Sequence, residues 1–394
     1  MNRIHRDKRS FDFVLFGLVI ALAAFGVLMV GSTTGLGNGN LSGVFINQLI
    51  FAITGVGIML LMAFINYEFI CKFFVPIYIV NVILLGIALI MPEQRGVARW
   101  IGVEIGGFEL GIQPSEFTKI FLIIFLAKVI DKYRDKINNI LVVGLIVGST
   151  AVSVLLIIMQ RSLSASVVVV IIMLTMLFCG KIGYRYIIIG TLVVLPALLF
   201  VYIDIHAENP LLIEMGLMED FQFQRIWNFL YPEGADTLQN DRAIMALASG
   251  LLTGQGLFNN QTVVFESTND FIFSIIGAEL GFIGAVGVLA VVLAIVLRCM
   301  FIANRSQLFL GRLIASAVGI TIAFQAFTHV AINAWLLPNT GMNFPFVSSG
   351  GSSMWVFMAM IGLVINVGMT KEYSMFEKMA SSGRKPEVRS GVPD

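Results

Sequence analysis

The sequence predicts an all-α, polytopic membrane protein with about ten transmembrane helices and a large extracellular loop between the seventh and the eighth. Three observations carry this prediction. Of the 394 residues, 58% are hydrophobic and only 12% charged, with a mean hydropathy of +0.91; a soluble domain carries roughly 25% charged residues. Apolar runs near the roughly 20 residues needed to cross a bilayer recur along the whole chain. Lysine and arginine, finally, are sorted by side: with both ends in the cytoplasm, nineteen of the 25 fall on inner segments, as the positive-inside rule requires.

The predicted spans are 11–31, 45–65, 72–91, 115–130, 139–159, 163–180, 184–203, 269–298, 310–336 and 350–370. The first follows the basic stretch "RIHRDKRS", but its apolar run exceeds the roughly 7–15 residues of a secretory signal, and no small-x-small site follows it. It therefore reads as a retained anchor. Residues 1–10 form a cytoplasmic tail, 11–370 a single membrane domain and 371–394 a disordered cytoplasmic tail ending in "SSGRKPEVRSGVPD". No fixed-period repeat is visible.

The inner loops are short, and polar, glycine-rich material gathers outside. The segment "PEQRGVARWIGVEIGGFELGIQPSE" reads as a polar excursion. The longest loop, about 204–268, mixes apolar and charged residues at helical spacing and predicts short surface or interfacial helices. Cys71, Cys179 and Cys299 fall at cytoplasmic ends of spans, with no disulfide framework outside and no metal spacing, and read as packing residues. A net charge of +1 gives no reason to expect nucleic acid as a partner. The chemistry is expected on the outer face.

The stretch "ESTNDFIFSIIGAELGFIG" puts Asp270 at the lip of the eighth span and Glu279 further in. Asp270 has two readings: a helix-start residue capping free N–H groups, or a general base at a cavity mouth. On one continuous helix, nine residues put Asp270 and Glu279 on opposite faces, about 13 Å apart along the axis. Asp270 would then share a stripe with Ser274, Gly277 and Gly281, and Glu279 would need its own, cationic partner. In "GIQPSEFTKI", Pro114 and Ser115 mark a helix start, and Glu116 and Lys119 lie three apart on one face as a structural or functional ion pair.

Six cations lie on the depleted outer side: Arg95, Arg99, Lys119, Arg161, Arg225 and Arg242. Together they point to an anionic ligand such as a phosphate. In "NFPFVSSGGSSMW", backbone N–H groups around Ser348, Ser349, Gly350, Gly351, Ser352 and Ser353 read either as an anion nest or as a tight turn with an N-cap. His329 reads as a hydrogen-bonded interhelical residue.

Taken in order, "RGVARWI…IQPSEFTKI", "NDFIFSIIGAELGFIG" and "LPNTGMNFPFVSSGGSS" resemble the G-x-x-R-W-I…Q-P-S-E-x-x-K, T-D-F-I-F-x-x-I-x-E-E-L-G and L-P-x-T-G-x-x-L-P-F-x-S-Y-G-G-S-S motifs of the SEDS family, the RodA/FtsW/SpoVE proteins. The resemblance runs from the first span to the last. It implies a peptidoglycan glycosyltransferase that polymerises lipid II at the outer face of the bacterial cytoplasmic membrane, in elongation, division or sporulation. It also implies a class B penicillin-binding protein, a transpeptidase, as partner. The family's key acid falls on Asp270, its Glu and Lys on Glu116 and Lys119, its Arg-Trp on Arg99 and Trp100, and its second Glu on Glu279. Arg95, Arg225, Ser348, Gly350, Gly351 and Ser352 join the expected substrate-binding set, and Gln160 a supporting one. A divalent cation such as Mg or Mn is a possible cofactor.

The sequence also departs from the family. Its Q-P-D-L-G is here "QRSLS", with Arg161, Ser162 and Ser164 replacing Pro, Asp and Gly. Arg242 and Ala243 stand for Gln-Ser, Ala278 for the first Glu of the pair, Ser349 for Tyr and His329 for Asn. Two further hypotheses stand beside the polymerase. A flippase of lipid-linked precursors would suit the span count, although no inverted repeat is visible. A non-catalytic scaffold for the transpeptidase would suit the altered motifs.

Overall fold

The computed structural model describes residues 4–6, 10–39, 41–91, 100–105, 108–207, 210–215, 218, 220–233, 237–259 and 263–372. In chain order the helices are α1 (Phe13–Thr33), α2 (Gly43–Phe64), a short α3 (Tyr67–Lys72), α4 (Phe74–Ile90), α5 (Pro114–Lys132), α6 (Ile140–Met159), α7 (Leu163–Cys179) and α8 (Tyr184–Ile205). After α8 come α9 (Leu211–Glu214), α10 (Asp220–Leu230), α11 (Leu238–Ser249), α12 (Ile272–Arg305), α13 (Phe309–Asn333) and α14 (Gly351–Met369). Each predicted span falls on one of the long helices. By length and composition, α1, α2, α6, α12, α13 and α14 are long and apolar enough to cross a membrane, and α4 and α7 are apolar but shorter. The long loop holds three short helices, as its pattern predicts.

The helix starts follow local chemistry. Asp12 accepts from Leu15 N at 2.9 Å to cap α1, Ser42 accepts from Phe45 N to cap α2, and Asn139 accepts from Leu141 N to cap α6. Pro114 opens α5, where its missing N–H costs nothing. Helices α5, α13 and α14 are buried along most of their length, while α1, α2, α6 and α12 bury one side and leave an apolar face outward. Amides and hydroxyls stitch the centre. Thr118 donates to Asn81, which donates to Ser153. Asn366 of α14 accepts from Tyr67 N and donates to the carbonyls of Met62 and Ile65, holding the bend between α2 and α3.

Strand β1 (Ile4–Arg6) pairs antiparallel with a strand at Thr370–Glu372, so the two ends of the described chain lie on the same face. Residues 371–372 thus belong to a strand and not to a disordered tail, whose remainder, 373–394, lies outside the described residues. On the same side, Arg298 Nε donates to Asp12 Oδ2 at 2.8 Å, tying α12 to the start of α1. The segment read as a polar excursion contains an antiparallel strand pair, β2 (Ile101–Ile105) with β3 (Phe108–Ile112), the Thr370–Glu372 strand being β4. Ile101, Val103 and Ile105 alternate with Gly102 and Glu104, and Gly106-Gly107 follows, which is the period-2 signal with a hairpin dipeptide.

The eighth span is not one continuous helix. Gly281 adopts φ 66° and ψ −170°, a left-handed backbone that breaks α12 after its first turns. The groups freed there are taken up by the loop after α11. Gln255 N donates to Ala278 O and Gly256 N to Glu279 O, while Phe282 N and Ile283 N donate to the carbonyls of Leu251 and Leu252. Beside hydrocarbon, such groups must find protein partners. Glu279 completes this joint: Ser32 Oγ of α1 donates to one carboxylate oxygen and Phe258 N to the other. Its partners are a hydroxyl and an amide, in place of the expected cation. The stripe joining Asp270 to Ser274, Gly277 and Gly281 is likewise not formed, because Asp270 precedes the helix and Gly281 interrupts it.

The joint is tight at two glycines. A Cβ at Gly250 would lie 1.9 Å from Gly277 O, and one at Gly254, where φ is +82°, 2.1 Å from Glu279 O. Either Gly→Ala substitution is expected to destabilise by about 2–4 kcal/mol through overpacking against backbone, whereas Gly287→Ala, with nothing within 4 Å, does not. Thermal unfolding in detergent reads the difference. The three cysteines are free, with Cys71 and Cys299 buried. Burial pushes the Cys71 thiol up to about 12, so at neutral pH it should resist alkylation in the folded protein and react on unfolding.

Candidate active site

On the face away from the paired ends, a cavity of ≈ 690 Å³ opens between helix starts. Its walls come from residues far apart in sequence. Gln113, Glu116 and Lys119 come from the start of α5; Ser162, Ser164, Ala165 and Val168 from the start of α7; and Glu266, Asn269 and Asp270 from the turn before α12. Gln325 of α13, the loop residues Thr340, Gly341, Met342 and Asn343, and Ser349, Gly350, Ser352 and Ser353 at the start of α14 close the far wall. Trp100 and, from α10, Phe221 and Arg225 line the rest. Seven of the residues predicted from sequence therefore meet: Asp270, Trp100, Glu116, Lys119, Arg225, Gly350 and Ser352.

Asp270 sits in a turn and not in a helix. Phe271 occupies the N-cap position of α12, with no side-chain cap, so Asp270 lies one residue before the N-cap. The turn is pinned from several sides. Phe271 N and Asn269 N donate to Glu266 O, Ser349 N donates to Thr268 O, and Asn333 Nδ2 donates to Asp270 O. Gly341, at φ +70°, lies opposite: a Cβ there would be 3.5 Å from Asp270 Oδ2 and 3.8 Å from Arg225 Nη1. A carboxylate and a guanidinium thus converge on the space that a side chain at position 341 would fill. Arg225 Nη1 also donates to Asn339 O at 3.4 Å.

Lys119 and Glu116 form the buried ion pair that their spacing predicts, Nζ to Oε2 at 2.7 Å. Lys119 also donates to Gln325 Oε1 at 3.1 Å and lies over the Phe357 ring. Its side chain is 0% exposed, so those partners are what keep a charge there tolerable. The starts of α5, α7, α12 and α14 all open on this cavity, with Gln113, Ser162 and Gly350 at or beside their N-caps. Each helix N-terminus carries roughly half a positive charge. With Lys119 and Arg225, they set positive charge beside the carboxylates of Glu116, Glu266 and Asp270 in the same wall.

Other predicted residues have different work. Ser348 does not line the cavity. It accepts from Phe344 N and donates to Asn269 O, bracing the Asp270 turn. The expected anion nest is not available at 348–350, because Ser348 N, Ser349 N and Gly350 N donate to Phe344 O, Thr268 O and Gln48 Oε1. Gly351 packs under Phe51, whose ring a Cβ would meet at 2.6 Å. Gln160 donates to Leu85 O, away from the cavity. Arg242 lies over Phe265, and Arg161 lines a neighbouring pocket of ≈ 60 Å³ with Arg225. Arg95 and Arg99 lie outside the described residues. His329 bonds through Nδ1 to Met342 O and packs on Phe344. Sequence reasoning missed Gln113, Glu266, Asn269, Gln325 and Asn343. Gln113, Glu266, Asn269 and Asn343 lie inside the quoted stretches without having been singled out as site residues; Gln325 is a lone amide inside an apolar span.

The model of the FtsW/RodA/SpoVE family, described as "Cell cycle protein", matches residues 12–373. The chain belongs to this family. Among curated relatives, the probable peptidoglycan glycosyltransferase FtsW of Trichlorobacter lovleyi is 33% identical over 374 residues, covering 91% of this chain and 93% of the relative. The protein of the same name from Bacillus subtilis is 29% identical, covering 94% and 93%. Among solved structures, a chain of a peptidoglycan synthase complex in which polymerization and crosslinking are coordinated matches with a TM-score of 0.74 at 23% identity, covering 91% of this chain and 97% of that one. The Thermus thermophilus rod shape determining protein RodA matches at 0.65 and 23%, covering 91% and 96%. The structural matches establish an FtsW/RodA/SpoVE-type fold. Of this member's departures from the family motifs, Ser162, Ser164 and Ser349 face the cavity, whereas Arg242, Ala243 and Ala278 are not part of its lining.

The buried pair generates a double-mutant test. Glu116→Gln strands Lys119 and Lys119→Met strands Glu116, each expected to cost about 3–5 kcal/mol. The double substitution removes both charges and should recover most of that loss. Thermal unfolding of the four proteins in detergent measures the coupling.

Proposed function

We propose that this FtsW/RodA/SpoVE-family chain is a peptidoglycan glycosyltransferase that polymerises lipid II into glycan strands at the outer face of the bacterial cytoplasmic membrane. The observation that carries the proposal is the meeting of Asp270 and Arg225 across Gly341, in a cavity ringed by helix N-termini. The named activity of the relatives from Trichlorobacter lovleyi and Bacillus subtilis supports the same reading. The sharing of one face by the two ends supports placing both in the cytoplasm, opposite the cavity.

Joining two sugars from a lipid pyrophosphate needs few groups. Asp270 accepts the proton of the acceptor hydroxyl as its oxygen bonds to the anomeric carbon of the donor. The bond from that carbon to the pyrophosphate breaks in the same displacement, inverting the centre. The departing pyrophosphate leaves as an anion, so no general acid is required; Lys119, Arg225 and the four helix starts stabilise its charge. Trp100 and Phe221 offer apolar and aromatic surface at the cavity wall. Among the described residues, no group of three or more His, Cys, Asp or Glu side chains is assembled for a metal. A Mg or Mn ion would draw an oxygen donor from Glu266 on the cavity wall, with the substrate's own phosphates completing its shell and Asp270 left to take the proton. When bound it would supply charge neutralisation.

The partner in this proposal is a class B penicillin-binding protein that crosslinks the emerging strand, in elongation, division or sporulation. The experiment is purified protein with lipid II, with and without the transpeptidase, read for glycan chains. Asp270→Asn should lower chain formation by at least about 10²-fold in protein that still folds. Polymerisation retained in Asp270→Asn would remove the assignment. Arg225→Ala should raise the KM for lipid II and lower kcat.

A further inference from the structure

Asn333, the last residue of α13, is 0% exposed and commits its whole amide to the approach to α12. Its Oδ1 accepts from Ser274 N at 2.9 Å and from Ser274 Oγ at 2.8 Å. Its Nδ2 donates to Asp270 O at 2.9 Å and to His329 O at 2.8 Å. Chemistry fixes that orientation. Carbonyls only accept and a backbone N–H only donates, so a flipped amide would set oxygen against two oxygens and nitrogen against an N–H.

Ser274 is the third residue of α12, and its N–H is shared between a tight-turn bond to Phe271 O at 3.1 Å and Asn333 Oδ1. Phe271 at the N-cap brings no side chain to meet it. Asn333 therefore caps α12 from the neighbouring helix. With its other arm it grips the carbonyl of the residue whose side chain faces the cavity.

We propose that Asn333 is a positioning residue for Asp270, holding the turn so that the carboxylate stands opposite Arg225 at the acceptor hydroxyl. This rests on the polymerase reading above. A reacting group displaced by about 1 Å costs on the order of 10²-fold in rate, and the Asn333 donor arm holds the Asp270 backbone directly.

The discriminating variant is Asn333→Asp. It keeps an acceptor for Ser274, and a carboxylate at a helix start caps at least as well as an amide. It removes the donor and turns oxygen toward the carbonyls of Asp270 and His329. The expected result is lipid II binding of unchanged stoichiometry and affinity within about twofold, with chain growth down about 10²-fold. Asn333→Leu, which removes both arms without adding charge, should show the same split if the aspartate variant does not fold. If either folded variant polymerises like wild type, the proposal is overturned. It is overturned equally if binding stoichiometry falls in step with turnover, since that marks a loss of folded protein only. Failure of the wild-type protein to polymerise is a separate result: it removes the polymerase reading, and this inference with it.

Discussion

A chain that leaves a helix beside hydrocarbon must hand its freed N–H and C=O groups to another part of the protein. That constraint shapes everything around the cavity. At Gly281 the loop after α11 receives the carbonyls of Ala278 and Glu279 and supplies acceptors to Phe282 and Ile283. At the turn before α12, Ser348, Ser349 and Asn333 take up the backbone of residues 268–270. In the approach to α14, the single side chain of Gln48 donates to Ser348 O and accepts from Gly350 N. Each irregular segment is thus held by a partner from another helix or loop, and the cavity lies where these segments meet.

The same irregularity creates the electrostatics. Four helices begin at one cavity, so their partial positive ends add where a continuous bundle would spread them apart. Lys119 is retained at full burial because Glu116, Gln325 and the Phe357 ring surround it. Removing one of these partners leaves the ammonium uncompensated. Asp270 differs in kind. Its backbone is tethered, and its side chain stands on the cavity wall opposite a guanidinium. In the proposed reaction this layout would hold an anionic group on one side and keep a proton acceptor on the other.

Much of this was legible in the sequence, for physical reasons. Hydropathy located the long helices because a helix in lipid has to be apolar over its whole length. The three-residue spacing in "PSEFTK" was enough to place Glu116 and Lys119 on one face. The strand pair within Ile101–Ile112 is signalled by alternation before Gly106-Gly107, yet the segment read only as a polar excursion among so many glycines. The break at Gly281 left no mark, since glycine within an apolar span serves equally well for close packing. Gln325 and Asn333 escaped notice because a solitary amide in a helix shows its purpose only when its neighbours in space are known. The anion nest at 348–350 failed for a related reason: sequence displays donors, but not which of them the fold has already engaged.

Helix α14 begins at the cavity wall, with Gly350 and Ser352, and ends at Thr370, which pairs with Arg6. It is buried almost throughout and clasped in its last turn by the junction of α2 and α3 through Asn366. A rigid rod therefore connects the chamber to the opposite floor, where both chain ends converge. Whatever docks on those ends stands about 28 Å from the cavity, the length of nineteen helical residues, and α14 is one rigid link between the two.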